Sequence, residues 1–185
     1  MAQHRVCPWW LGYILINPLR RLRQDPAKLL APYVRQGMIV LEPGPGMGFF
    51  TIELARRVGP SGRVVALDVQ DRMLQRLKRR AARAGLLDRL DARLVPPHSM
   101  DLKGMDAAVD FVLAMYVVHE LPDARRFFLE AAGAMKPGAC LLLAEPKTYV
   151  SREEFEAELG AAAQAGFQPL EPPAFAGSHV ALLKK

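Results

Sequence analysis

Cysteine is almost absent from this chain of 185 residues: Cys7 and Cys140 are its only two, far apart. Two distant thiols make no disulfide framework and no zinc-ligand spacing, and a His4/Cys7 pair is too thin for a site, so no metal is expected. A reduced, cytoplasmic setting follows. A long apolar run is missing too. Val6 to Ile16 is broken by Pro8 and Gly12 and is too short to span a bilayer. Arg20, Arg21 and Arg23 follow this run, whereas a secretory signal carries its basic residues in front. No internal repeat, low-complexity tract or second domain is visible. Apolar residues make up 51% of the chain, which excludes a disordered one. Lys and Arg number 25 against 19 Asp and Glu, a net charge of +6. That balance permits an anionic partner without requiring one.

What is present centres on Ile39-Val40-Leu41-Glu42-Pro43-Gly44-Pro45-Gly46-Met47-Gly48-Phe49-Phe50. A short apolar run ends in an acid and three alternating glycines. A helical pattern follows, with Ile52, Leu54, Ala55 and Val58 on one side. This is strand, tight turn and helix, the opening of a βαβ unit. Glycine lets the backbone turn sharply and admits a ligand where a Cβ would stand. A second apolar strand, Arg63 to Leu67, ends in Asp68, placed to accept hydrogen bonds from ribose hydroxyls. A nucleoside-bearing cofactor on the carboxyl ends of a parallel sheet is the expectation. A dinucleotide turn would put its third glycine at position 49, which is Phe49.

Glu42-x-Gly44-x-Gly46-x-Gly48 resembles the first motif of the class I S-adenosylmethionine-dependent methyltransferases. The later chain keeps the same order. Asp110 to Met115 reads as a fourth strand, and Tyr116-Val117-Val118-His119-Glu120-Leu121-Pro122-Asp123 is similar to the segment found there in the ubiquinone/menaquinone-biosynthesis type. Lys136-Pro137-Gly138 matches that family's turn before the fifth strand, with Ala139 where a second glycine is usual. The resemblance runs from about residue 38 to 185. It implies an α/β, three-layer Rossmann-like fold: a seven-stranded mostly parallel sheet, an antiparallel last strand, and helices on both faces. It also implies S-adenosyl-L-methionine as cofactor, with S-adenosyl-L-homocysteine as product. Carried over position by position, the cofactor residues are Glu42, Gly44, Pro45, Gly46, Gly48, Asp68, Val69, Met73, Ser99, Met100, Ala114 and Met115. Many relatives carry Asp at the adenine loop, so Asp101 is an alternative to Ser99 there.

The remaining elements follow from local signals. Residues 1–36 are expected as a helical lid, and 37–185 as one cofactor-binding domain. Trp9, Trp10 and Tyr13 would cover the acceptor pocket, or else patch a sheet edge. Asp25-Pro26 starts a helix, and Asp71 caps another whose outer face is Arg72, Arg76, Lys78, Arg79, Arg80 and Arg83. That face reads as solvated; an RNA-binding patch would want interleaved aromatics. Asp91 to Val95 is the third strand and Ala139 to Ala144 the fifth. Ser151-x-x-Glu154 is a capping box, and Phe167–Leu170 and His179–Leu183 close the sheet.

Methyl transfer needs alignment, and a base only if the acceptor carries a proton. His119 is the base candidate because its ordinary pKa lies near working pH. Its alternative is a backbone contact at a helix start. Tyr116 is expected to line the acceptor pocket. Glu145 either touches the acceptor or ends its strand with a structural hydrogen bond. The expected acceptor is a small or medium-sized, apolar molecule. An RNA acceptor, and a binding protein without turnover, are the alternatives. Oligomeric state is not legible.

Overall fold

Strands with near-continuous apolar sequence need cover on both faces, and the burial of this sheet shows that they receive it. The computed structural model describes residues 24–185; Trp9, Trp10 and Tyr13 lie outside the described residues. The strands are β1 (Ile39–Pro43), β2 (Arg63–Asp68), β3 (Leu90–Leu94), β4 (Val109–Met115), β5 (Met135–Pro146), β6 (Gln168–Leu170) and β7 (Ser178–Lys184). They form one seven-stranded sheet in the order β3-β2-β1-β4-β5-β7-β6. The β1–β2, β2–β3 and β4–β5 pairs are parallel, and β7 runs antiparallel to β5 and β6. This is the expected Rossmann-like sheet. Residues 24–95 and 96–185 each belong to a compact unit.

In the first unit, α1 (Pro26–Leu30) is capped as expected, the Asp25 carboxylate accepting from the Ala27 amide at 2.9 Å. Helix α2 (Thr51–Val58) and helix α3 (Asp71–Arg83) follow β1 and β2. Met73, Leu74, Leu77 and Ala81 form the buried side of α3. Each large aliphatic side chain hidden this way contributes roughly 1.5–3 kcal/mol. Arg72, Arg76, Lys78, Arg79 and Arg83 are exposed. Asp71 does not cap this helix. It is the first helical residue, its carboxylate receives the Gln75 amide at 2.6 Å, and Gln70 occupies the cap without a side-chain bond. The Asp68 carboxylate already accepts from the Gln70 amide at 2.8 Å, which shapes the turn one residue earlier.

In the second unit, α4 (Ala124–Ala134) is capped by Asp123, which accepts from the Arg126 amide at 2.9 Å. Helix α5 (Arg152–Gln164) has its full capping box. Strand β5 is longer than expected. Its register with β4 jumps from Val109–Met135 to Phe111–Cys140, so Lys136-Pro137-Gly138 is extruded as a bulge within one strand instead of preceding it. Gly138 sits at φ +78°, a left-handed conformation that suits glycine.

Candidate active site

The glycine turn is built almost wholly of backbone. Pro43 pairs with Leu67 across β1 and β2, and the Gly44 amide donates to the Leu67 carbonyl at 2.8 Å. Gly44, Gly46 and Gly48 have φ of +64°, +54° and +86°. At Gly48 a Cβ would stand 2.4 Å from Leu77 Cδ1 of α3, so glycine there allows the helix to pack against the turn. At Gly46 nothing among the described residues lies within 4 Å of such a Cβ: the conformation suits glycine, and the space beside it is open among those residues. Arg80, read from sequence as part of a solvated face, instead donates a guanidinium hydrogen bond to the Met47 carbonyl and ties the turn to α3.

Two acids end the strands of this unit. Glu42 is only 3% exposed, and burial pushes its carboxyl up to about 8, the nearby Thr51 hydroxyl pulling the other way. Among the described residues neither Glu42 Oε2 nor Thr51 Oγ1 makes a hydrogen bond of normal geometry. A buried carboxyl oxygen without a partner costs free energy unless a ligand supplies a donor. Asp68, at the end of β2, holds the turn through Gln70 and is largely buried. Gly44 is exposed, Gly46 and Val69 are half-buried, and Pro45 and Met73 are buried. A buried acid with one oxygen lacking a hydrogen bond among the described residues, open peptide and a second acid one strand away suit a nucleoside with a cationic amino-acid tail. The residues present therefore fit S-adenosylmethionine.

The second unit holds the other expected residues. Ser99 Oγ donates to Glu130 Oε1 at 3.0 Å, and the Met100 amide donates to Glu130 Oε2 at 2.6 Å. Ser99 Oγ also accepts from the Asp101 amide at 3.1 Å. Ser99 is thus engaged in fixing its own loop. Glu130, on α4, is a residue that sequence reasoning missed. Burial opposes its charge, but Arg126, the Met100 amide and Ser99 together hold its carboxyl below the usual range. Ala114 is wholly buried within β4 and Met115 is 8% exposed. Tyr116, directly after β4, has φ of +61°, a strained conformation for a side chain of this size. Its hydroxyl meets Ser178 Oγ at 2.7 Å, and its ring lies 6.5 Å from that of Phe175.

Glu145 corrects the expectation of an acceptor contact. It is 0% exposed. Its Oε1 accepts from the Val118 amide at 2.8 Å and more weakly from the His119 amide at 3.4 Å. Its Oε2 lies 2.5 Å from His119 Nδ1. The structural alternative holds, and its object is His119. Burial works against charge on the His119 ring, but the Glu145 hydrogen bond and the charges of Glu145, Glu120 and Glu158 outweigh it and raise its pKa. Glu158 of α5 was also missed from sequence. It is buried, its Oε2 has no hydrogen-bond partner, and burial and the Glu145 charge push its carboxyl up to about 8. Periodicity placed Glu158 on a helix but gave no reason for an acid on the inward face.

The methyltransferase-domain family matches residues 40–138, just over half of the chain. A demethylmenaquinone methyltransferase of Listeria monocytogenes is 27% identical over 138 residues, covering 73% of this chain and 56% of that protein. One of Staphylococcus aureus is 29% identical over 125 residues, covering 66% and 50%. The chain thus spans about half the length of these curated relatives. The crystal structure of an S-adenosylmethionine-dependent methyltransferase from Aquifex aeolicus superposes with a TM-score of 0.84 at 25% identity, covering 97% of this chain and 98% of that one. With the glycine turn, the strand-end acids and the sheet order in agreement, the chain belongs to the class I S-adenosylmethionine-dependent methyltransferase family, whose cofactor is S-adenosyl-L-methionine.

Proposed function

We propose that this chain transfers a methyl group from S-adenosylmethionine to a small or medium-sized, apolar acceptor with a quinol-like ring. The observation that carries the transfer is the open glycine turn between two strand-end acids, one of them buried with an oxygen that no described residue hydrogen-bonds. The ring-type acceptor is supported by the similarity to demethylmenaquinone methyltransferases. No helix among the described residues is long and apolar enough to cross a membrane. The bound cofactor supplies an electrophilic methyl group on a sulfonium. In this reading Gly44 and Gly46 leave room for its backbone-side approach, and Asp68 accepts from its ribose hydroxyls. Glu42 faces the cationic end of its methionine tail. Val69 and Met73 add to the cofactor side within the same unit, and in residues 96–185 we read Ser99, Met100 and Met115 as cofactor contacts and Tyr116, with Phe175, as facing the acceptor.

His119 is the base in this proposal. A phenol-like O–H or an acidic C–H must lose its proton as the methyl bond forms, and an imidazole near neutral pKa is suited to take it. The test is radiolabelled methyl transfer to a panel of demethylated quinols, catechols and short RNAs, with His119→Ala beside the wild type. Transfer to the quinols, reduced about 10²-fold or more in the variant, supports the reading. Transfer to RNA alone, weakening steeply with salt, overturns it in favour of the exposed arginine face of α3. Cofactor binding without turnover on any acceptor overturns it in favour of a binding protein.

A further inference from the structure

The Glu145–His119 arrangement is more specific than a strand-ending hydrogen bond requires. Ala144 is in register with Met115, and the Tyr116 amide donates to the Ala144 carbonyl at 2.8 Å. The parallel β4–β5 pair therefore delivers Glu145 beside the turn that carries His119. One carboxyl then serves that turn three times: Oε1 takes the Val118 and His119 amides, and Oε2 faces the ring. The backbone bonds fix the carboxyl, and the fixed carboxyl fixes the ring.

We propose that Glu145 is a positioning residue for methyl transfer, holding His119 in the tautomer that carries its proton on Nδ1, so that Nε2 is the nitrogen that takes the acceptor's proton. This rests on the reading of His119 as the base. With Glu145 ionised, its oxygen 2.5 Å from Nδ1 accepts from an N–H there, and in the neutral ring that leaves the lone pair on Nε2. The step then balances. The acceptor's bond to hydrogen breaks and its proton goes to Nε2. The freed electron pair bonds the methyl carbon, and the carbon–sulfur pair stays with sulfur. Glu145 keeps its hydrogen bond throughout and stabilises the imidazolium that forms, as the orienting acid of a hydrolytic triad does. The groups around the ring act in the same direction: Glu120 on its own turn, Glu145 on β5, and Glu158 on α5 all favour the charged form against burial. Glu154 at the start of α5 completes the acidic surroundings.

The test follows the ring nitrogens directly. The full chain is labelled with 15N-histidine, and His119 is titrated in wild type, Glu145→Gln and Glu158→Gln. In the wild type, neutral His119 is expected as the Nδ1–H tautomer. In Glu145→Gln the tautomers mix and the ring pKa falls, because the carboxylate that favours the charged ring is gone. The turnover number should fall about 10²-fold with the acceptor KM little changed, and the acid limb of the pH profile should move to lower pH. Glu158→Gln should move that limb less. An Nε2–H tautomer in the wild type, with His119→Ala still slow, overturns the positioning role alone. Full activity of His119→Ala, with the Nδ1–H tautomer intact, overturns the base reading and Glu145's part with it. Should Glu145→Gln not fold, the wild-type tautomer decides by itself.

Discussion

The two units of this chain prepare for chemistry by opposite means. In residues 24–95 the surface proposed for the cofactor is made of peptide: three glycines at positive φ, beside a buried acid with one oxygen lacking a hydrogen bond among the described residues. In residues 96–185 it is made of side chains that hold one another: Glu145 on His119, Glu130 on Ser99, Ser178 on Tyr116. Peptide that is open and pre-shaped suits a ligand that is the same at every turnover. A web of paired side chains suits the part that must fix a proton's position. The difference teaches where each unit is fragile. The first should fail when bulk or a missing charge reaches the ligand surface, and the second when one member of a pair is cut.

The largest expected effect cuts a pair's working end. His119→Ala should lower turnover about 10²- to 10⁴-fold while S-adenosylmethionine affinity stays within about twofold of wild type. Steady-state kinetics beside cofactor calorimetry check this, and a joint loss of both would erase the distinction between the units. Next, Asp68→Ala should weaken cofactor binding by about 10- to 100-fold through loss of hydrogen bonds to a charged group. Gly46→Ala should also weaken binding without a clash inside the protein, since its surroundings are open; thermal melts separate that loss from its backbone strain.

A smaller effect sharpens the comparison through pH. Glu42 is near the usual carboxylate range when unfolded and is raised to about 8 when folded, so the folded state holds an extra proton between them. The stability this group contributes is full below its unfolded pKa and is lost as pH rises through about 8. Glu42→Gln should therefore melt higher than wild type by an increasing margin as pH rises through that window. Glu158 has the same sign and a similar raised value, so Glu158→Gln should show a parallel trend, and the double variant the sum. The least effect is expected for Tyr116→Phe. It removes the hydroxyl that meets Ser178 and should cost about 1 kcal/mol in denaturant unfolding, with turnover little changed.

The contrast also explains what was legible in the sequence. A glycine turn is a local device, and so is an acid at a strand end. Glu42, the three glycines and Asp68 could be read because spacing and strand pattern determine where they fall. Asp25 and Ser151 were legible as caps for the same reason. The second unit's pairs join residues far apart in the chain. His119 and Glu145 are separated by 26 positions, Ser99 and Glu130 by 31, and Tyr116 and Ser178 by 62. No local signal ties such partners, so Glu145 was left between two roles and Glu130 and Glu158 went unnoticed. Arg80 shows the same limit: its helix period put it with the solvated arginines, and only the fold brings the Met47 carbonyl to it. The Lys136–Gly138 turn was read in the right place but as a break, because a bulge is visible only against the partner strand.

The central claim is that residues 24–95 present S-adenosylmethionine with open peptide and two strand-end acids. Calorimetric titration of that compound into the full chain at pH 7, repeated in two buffers of different ionisation heat, tests it most directly. The expected result is one-to-one binding, weakened at least tenfold in Asp68→Ala, with proton release in the wild type that vanishes in Glu42→Gln. Equal affinity in wild type and Asp68→Ala, or no binding to either, would contradict the claim.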